Sequence, residues 1–260
     1  MRRTKRAEPR LAETVALGLI HGPAELLPVS SSAHIGLLPW ALGWHHAKLP
    51  GPVRKEVEVA LHAGTAVVLA LSMGRPRIGL LATATAPPAV AGLLLEKPIE
   101  TYLGTPLPVA GGLVAGAVAM VAADRSLEPS RFLEEAEPID GAWLGAAQVL
   151  ALFPGISRSG ATRTIARARG FDRPEAAALA REVALPVLAG AAVLKGVRLA
   201  RRKPSRGTLR ALAAGAAASA VSTAAALRLE RGNTPLAVFA AYRVVLAGAI
   251  VVRVWHDRAR

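Results

Sequence analysis

Three serines followed closely by a histidine, Ser30-Ser31-Ser32-Ala33-His34, stand a few residues beyond a carboxylate, Glu25. Far downstream, Gly155-Ile156-Ser157-Arg158-Ser159-Gly160 sets an arginine among hydroxyls and glycines. Together these residues make a kit for breaking a phosphoanhydride. A serine or a water attacks phosphorus, a histidine moves a proton, and cations offset the developing charge. Amides exposed at a helix start bind phosphate oxygens, and a guanidinium fork matches them. His21 and Glu25 are four apart and share a face if their segment is helical. A carboxylate such as Glu25 is also a hard oxygen ligand for Mg²⁺ or Ca²⁺. The plainer reading of each is structural: serines that cap a helix, an arginine that reaches for water, a carboxylate paired only for packing.

The elements that must position these groups are read from charge placement. Lys and Arg total 32, Asp and Glu 18, giving a formal charge of +14, and 52% of the residues are apolar. That composition excludes a mainly disordered chain. The absence of cysteine excludes disulfides, thiolate metal sites and a cysteine nucleophile. Residues 26–47, 59–74, 78–95, 101–123, 141–157 and 211–227 contain no Asp, Glu, Lys or Arg, and 183–194 and 234–252 read as further spans, the last with Arg243 inside it. Roughly 20 apolar residues cross a bilayer core. These runs show no polar face, so a multi-pass membrane protein is expected. The basic clusters, at 2–10, 75–77, 163–173, 195–210 and 253–260, lie at the joints between runs. There they meet anionic lipid headgroups. Nucleic acid is excluded as a partner, because aromatics are only 4% and no continuous basic face is interleaved with them. The segment after the basic start carries Glu13, His21 and Glu25, which argues against a cleaved signal peptide.

The two motifs also resemble each other. Pro28 falls on Pro154 and Ser31 on Ser157 at an offset of 126, and Glu56-Val57 falls on Glu182-Val183 at the same offset. A repeated match at one offset indicates duplication. The expected organisation is a single membrane domain, 1–260, with a first repeat over 11–123 and a second over 140–255. Pro28 and Pro154 would break their helices, and each break would open a re-entrant helical hairpin. The two hairpins would bring Ser30–His34 and Gly155–Gly160 together at a central site.

At this point the chain resembles the undecaprenyl-diphosphate phosphatase family linked to bacitracin resistance. Pro28 through His34 is similar to the family's Pro-x-Ser-Ser-x-Gly-His segment, and Pro154 through Thr162 carries Pro-Gly-x-Ser-Arg-Ser-Gly-Ala-Thr in full. Glu58 through Thr65 and Tyr242 through Gly248 resemble two further family segments. The resemblance implies an all-α integral membrane protein of two inverted-topology repeats, in the bacterial plasma membrane. It implies hydrolysis of undecaprenyl diphosphate to the monophosphate and phosphate, recycling the carrier lipid for cell-wall synthesis. Carried over, Ser31 is the nucleophile, with Ser30 as its alternative. His34 is the base, Glu25 and Arg158 are catalytic, and Ser30, Ser32, Gly155, Ser157 and Ser159 line the substrate. Glu25 and His21 would hold a divalent cation, Mg²⁺ or Ca²⁺.

Two departures stand out. His21 occupies a position where the family has Glu or Gln, and Ala33 one where it has Gly. His21 exchanges a hard oxygen for a softer nitrogen. The partners expected are a polyprenyl diphosphate, membrane lipids and, as an open option, a second copy of the chain. The alternative function is a polyprenyl-phosphate transporter or flippase built on the same repeats. His62 is expected as a packing histidine, and Arg163, Arg167 and Arg169 as headgroup contacts. His45 and His46 are given no role. Glu134, Glu135 and Glu137 are expected on a solvated loop, and the Gly/Ala-rich 111–123 and 211–226 at close helix contacts.

Overall fold

In lipid a backbone can satisfy its own polar groups as a helix, and the apolar runs take that form. The computed structural model describes residues 8–125, 131–202 and 204–259. Among the described residues the chain is helical: α1 (Leu11–Leu26), α2 (Ser31–Ala41), α3 (Gly51–Ser72), α4 (Ile78–Leu103), α5 (Pro106–Arg125), α6 (Pro138–Leu150), α7 (Arg158–Ala168), α8 (Arg173–Arg201), α9 (Arg206–Leu229) and α10 (Leu236–Arg258). Short 3-10 turns cover His45–Lys48 and Leu133–Glu135. Five helices, α4, α5, α8, α9 and α10, are long and apolar enough to cross a membrane. The distribution of side chains agrees: Leu71, Leu93, Val245 and Trp255 lie exposed, whereas His21, Thr65 and Arg243 are fully buried. Apolar outside and polar inside is the arrangement a bilayer selects.

The runs at 26–47 and 141–157 do not form single spans. Each breaks into a turn that joins two short helices, α1 to α2 and α6 to α7. At 1.5 Å per residue, α1 and α6 reach about 24 and 20 Å, short of the roughly 30 Å hydrocarbon core.

Small residues set the packing. α1 lies on α9 and α6 on α4. A Cβ at Gly22 would stand 2.3 Å from Ser222 Oγ, and one at Gly141 2.4 Å from the Leu80 carbonyl. Both contacts therefore need glycine for close approach. This places the Gly/Ala-rich stretch of α9 where the sequence put it, in helix contact. α5 packs along α10, and α3 along α8 and α9.

The arginines of α7 correct the headgroup expectation. Arg163 is 2% exposed; it donates to the Leu26 carbonyl at 2.8 Å and pairs with Glu230 at 3.1 Å. Arg167 is buried against Asp124, and Arg169 pairs with Asp140 at 2.8 Å. The sequence shows a basic cluster but not the acids that fold back onto it from Asp124, Asp140 and Glu230.

Asp140, in the first turn of α6, ties Arg131, Arg169 and the Glu137 amide together. Burial alone would raise its carboxyl. Hydrogen bonds from Arg131, the Glu137 amide and Arg169 outweigh that and hold it at about 2. The folded value lies below the unfolded one, so the stabilisation is complete above pH 4 and is lost as pH falls through about 2. Asp140→Asn is expected to unfold at a lower temperature than the parent at pH 6, with the gap closing by pH 2 in a thermal scan.

Candidate functional site

The two interhelical turns build the centre. Ser30 and Ser157 are the only non-glycine residues with positive φ among the described residues, both at 72°. Each caps the helix that follows: Ser30 Oγ accepts from the Ala33 amide at 3.4 Å, and Ser157 Oγ from the Gly160 amide at 3.2 Å. Each also meets the serine two residues on, Ser32 at 3.2 Å and Ser159 at 3.3 Å. Strained backbone of this kind persists only where the surroundings impose it. The capping serines are 127 positions apart, so the structural register exceeds the sequence offset of 126 by one. Gly155 (φ 94°) is the additional residue between Pro154 and its cap.

The turns touch, as the sequence led us to expect. Ser159 Oγ donates to the Leu27 carbonyl at 2.8 Å. Arg243, from α10, is 0% exposed and spans both turns. Its guanidinium donates to the carbonyls of Pro28 (3.3 Å), Gly155 (2.8 Å), Ile156 (2.9 Å), Leu113 (3.1 Å) and Gly112 (3.2 Å).

Below this junction, Arg158 at the start of α7 pairs with Glu25 at the end of α1. The other Glu25 oxygen faces two imidazoles, His21 Nε2 at 3.6 Å and His62 Nε2 at 3.5 Å. The rings of His21 and His62 meet edge to face at 4.5 Å. Their far nitrogens are held by hydrogen bonds. His62 Nδ1 bonds the Glu58 carbonyl at 2.8 Å, which can only accept, so Nδ1 carries the proton. His21 Nδ1 lies within hydrogen-bond distance of two hydroxyls, Ser219 Oγ at 3.1 Å and Thr65 Oγ1 at 3.2 Å, and Ser219 donates to the Leu61 carbonyl at 2.8 Å. Thr65 ties Ser219 to Thr223 at 3.1 and 3.0 Å. Two imidazole nitrogens and one carboxylate oxygen converge within 4.8 Å. His21 Nε2 and Glu25 Oε2 have no hydrogen-bond partner among the described residues. Buried lone pairs facing one another repel unless a proton or a cation lies between them, and the outer bonds resemble those that orient metal-ligating histidines. The donor set fits a divalent cation.

His34 sits apart from this cluster. Its Nδ1 donates to the Ser30 carbonyl at 2.8 Å, and its Nε2 takes the Tyr242 hydroxyl at 2.6 Å. Among the described residues no hydrogen bond joins His34 to Ser31, Glu25 or Arg158. Ser31 is half-buried, and no hydrogen bond to its hydroxyl occurs among the described residues. A narrow crevice lined by Glu25, Arg158, Ser159, Leu69 and Arg181 runs from the ion pair toward a cavity of about 190 Å³ that shares Leu69 and Arg181.

The structure thus brings Glu25, His21, Arg158, Ser159 and the capping serines to one junction. Sequence reasoning read His62 as a packing histidine, whereas the structure also sets its Nε2 3.5 Å from Glu25; that reasoning passed over Thr65, Ser219, Thr223 and Tyr242. For His62 the signal was present: it lies one helical turn from Glu58 within a segment already singled out. The hydroxyls of α9 gave none, because Ser and Thr are ordinary in such helices.

A shell of apolar helices around a buried carboxylate, guanidinium and imidazole cluster defines a multi-pass membrane protein with an ionisable site at its centre. The family model described as bacitracin resistance protein BacA matches residues 72–249. A Geobacter sulfurreducens protein named undecaprenyl-diphosphatase is 37% identical over 269 aligned residues, covering 93% of this chain and 97% of its own length. A Moorella thermoacetica protein of the same name is 35% identical, covering 95% and 98%. One from Gemmatimonas aurantiaca is 34% identical, covering 90% and 94%. The chain belongs to the BacA family.

Proposed function

We propose that the protein is an integral membrane phosphatase of the bacterial plasma membrane that hydrolyses undecaprenyl diphosphate to undecaprenyl phosphate and inorganic phosphate. The carrying observation is the buried Glu25–Arg158 pair at the junction of the two turns, in a chain of this family. The relatives named as diphosphatases give the transporter reading no support.

The diphosphate head would lie at the mouth of the crevice, with Arg158 and the first-turn amides of α7 on its oxygens. Ser31 Oγ attacks the terminal phosphorus and passes its proton to His34 Nε2, where the Tyr242 hydroxyl now sits. The bond to the bridging oxygen breaks and undecaprenyl phosphate leaves. His34 gives that proton to the departing undecaprenyl phosphate oxygen. Water then attacks the phosphoserine, and His34 Nε2 takes a proton from the water and returns it to Ser31 Oγ as the phosphoserine bond breaks and phosphate is released. Glu25 holds Arg158 in place throughout. A divalent cation held by Glu25, His21 and His62 would supply charge neutralisation at the phosphate oxygens. With two nitrogens and one oxygen, this set favours a borderline cation over Mg²⁺ or Ca²⁺.

The same reading makes the halves, 11–123 and 140–255, inverted repeats with α1–α2 and α6–α7 as re-entrant hairpins. A hairpin that returns to its own side, followed by α3, α4 and α5 taken as three crossings, would start the second half from the opposite face. The pairings of α1 with α9 and α6 with α4 support this.

The test is purified protein in detergent with undecaprenyl diphosphate. Equimolar phosphate and undecaprenyl phosphate are expected, together with a saturable Co²⁺ absorption band that His62→Ala abolishes. No phosphate from folded protein would refute the activity. A Co²⁺ band surviving in His62→Ala would refute the ligand set alone.

A further inference from the structure

A second cavity, of about 440 Å³, opens between the start of α3 and the ends of α4 and α8. Its described lining carries five cations, Lys55, Lys97, Lys195, Arg198 and Arg202, against one acid, Glu56. Among the described residues, Arg202 meets Glu56 at 3.4 Å and Lys55 meets Glu58 at 3.1 Å. Val59 and Leu199 supply apolar walls. The cavity therefore pairs a cationic rim with a greasy interior, at the ends of helices long enough to cross a membrane.

Its counterpart marks the contrast. Positions 127 further on, or back, line the cavity of about 190 Å³ beside the ion pair: Lys55 corresponds to Glu182 and Leu199 to Ser72. There Glu182 is tied to Arg77. Corresponding sites thus differ in size and in charge: the larger is strongly basic, whereas the smaller sets Arg181 against Glu182. A large basic cavity at a helix end, open to the interfacial layer, selects an anionic headgroup.

From this we infer that the cavity bounded by Lys97 and Arg198 is a binding site for the phosphate headgroup of a membrane lipid, separate from the Glu25–Arg158 centre. The apolar walls take the first methylenes and the rim takes the phosphate. Free phosphate shares the headgroup's chemistry but not its chain, which decides between the two sources.

The test titrates phosphatidylglycerol, phosphatidylcholine and inorganic phosphate onto the detergent-solubilised protein and counts bound ligand by native mass spectrometry. Phosphatidylglycerol is expected to bind more tightly than phosphatidylcholine. The double variant Lys97→Ala/Arg198→Ala is expected to weaken phosphatidylglycerol about 25-fold, roughly fivefold per charge. Arg206→Ala/Arg210→Ala, outside the cavity, should change it less than twofold, and phosphate release from undecaprenyl diphosphate should stay at the parent rate in both. Equal weakening by both pairs would reduce the effect to general surface attraction and overturn the site. Unchanged binding in Lys97→Ala/Arg198→Ala, or inorganic phosphate binding as tightly as the lipid, would overturn it as well.

Discussion

Arg158→Ala is expected to lower phosphate release by about 10²–10³-fold, the loss typical of removing one preorganised group that faces charge developing in the transition state. The substitution also strands Glu25, whose carboxylate is 4% exposed. An unpaired buried charge costs about 3–5 kcal/mol, so a fall in stability accompanies the fall in rate. The two effects separate in Glu25→Gln/Arg158→Ala. Without the stranded charge the double variant should regain most of its unfolding midpoint, while its rate stays as low as the single variant's. Arg158→Lys keeps the charge beside Glu25 but loses the planar fork, and is expected to recover stability with only part of the rate. Release within threefold of the parent from folded Arg158→Ala would remove this residue from the reaction.

The second large effect concerns the junction itself. Arg243→Met is expected to lower stability by about 4 kcal/mol or more, since carbonyls left without donors in a buried site each cost roughly 1–3 kcal/mol. The guanidinium serves five carbonyls drawn from α5 and from both turns. No single other residue reaches both Pro28 and Gly155 among the described hydrogen bonds. The unfolding midpoint in detergent should drop by on the order of 10 °C. Protease cleavage near residues 28 and 155 should appear in the variant under native conditions. A midpoint within 2 °C of the parent (on the order of 0.5–1 kcal/mol) would mean that the turns are held by something else.

The readable part of this molecule was set by lipid. Uncharged runs marked α5 closely and the middles of α4, α9 and α10, which extend five to eight residues further at one end, because a bilayer leaves few other structures open. The candidate chemistry was legible where charged residues abut such a run, Glu25 just before 26–47 and Arg158 just after 141–157. The breaks of 26–47 and 141–157 into short helices were signalled by Pro28 and Pro154 rather than by hydropathy. Partner identity was not legible. That Arg163 seeks Glu230 and His62 seeks Glu25 depends on helices 67 and 37 positions away in sequence, whose rotation no local pattern reports. Arg243 was visible as a lone charge in a span, but its role as a donor to both turns is a property of the assembled bundle.

Position 116 is the counterpart of 243, again 127 apart, and there the chain has glycine. A Cβ on Gly116 would stand 2.2 Å from an Arg243 guanidinium nitrogen. One half thus donates the arm and the other provides the socket. Likewise Arg158 answers to Ser31, and Glu25 to Leu152. Two matched halves would present a visitor with two identical grips. This chain presents a handed one, so a molecule with a charged head and an uncharged tail can be seated in a single direction.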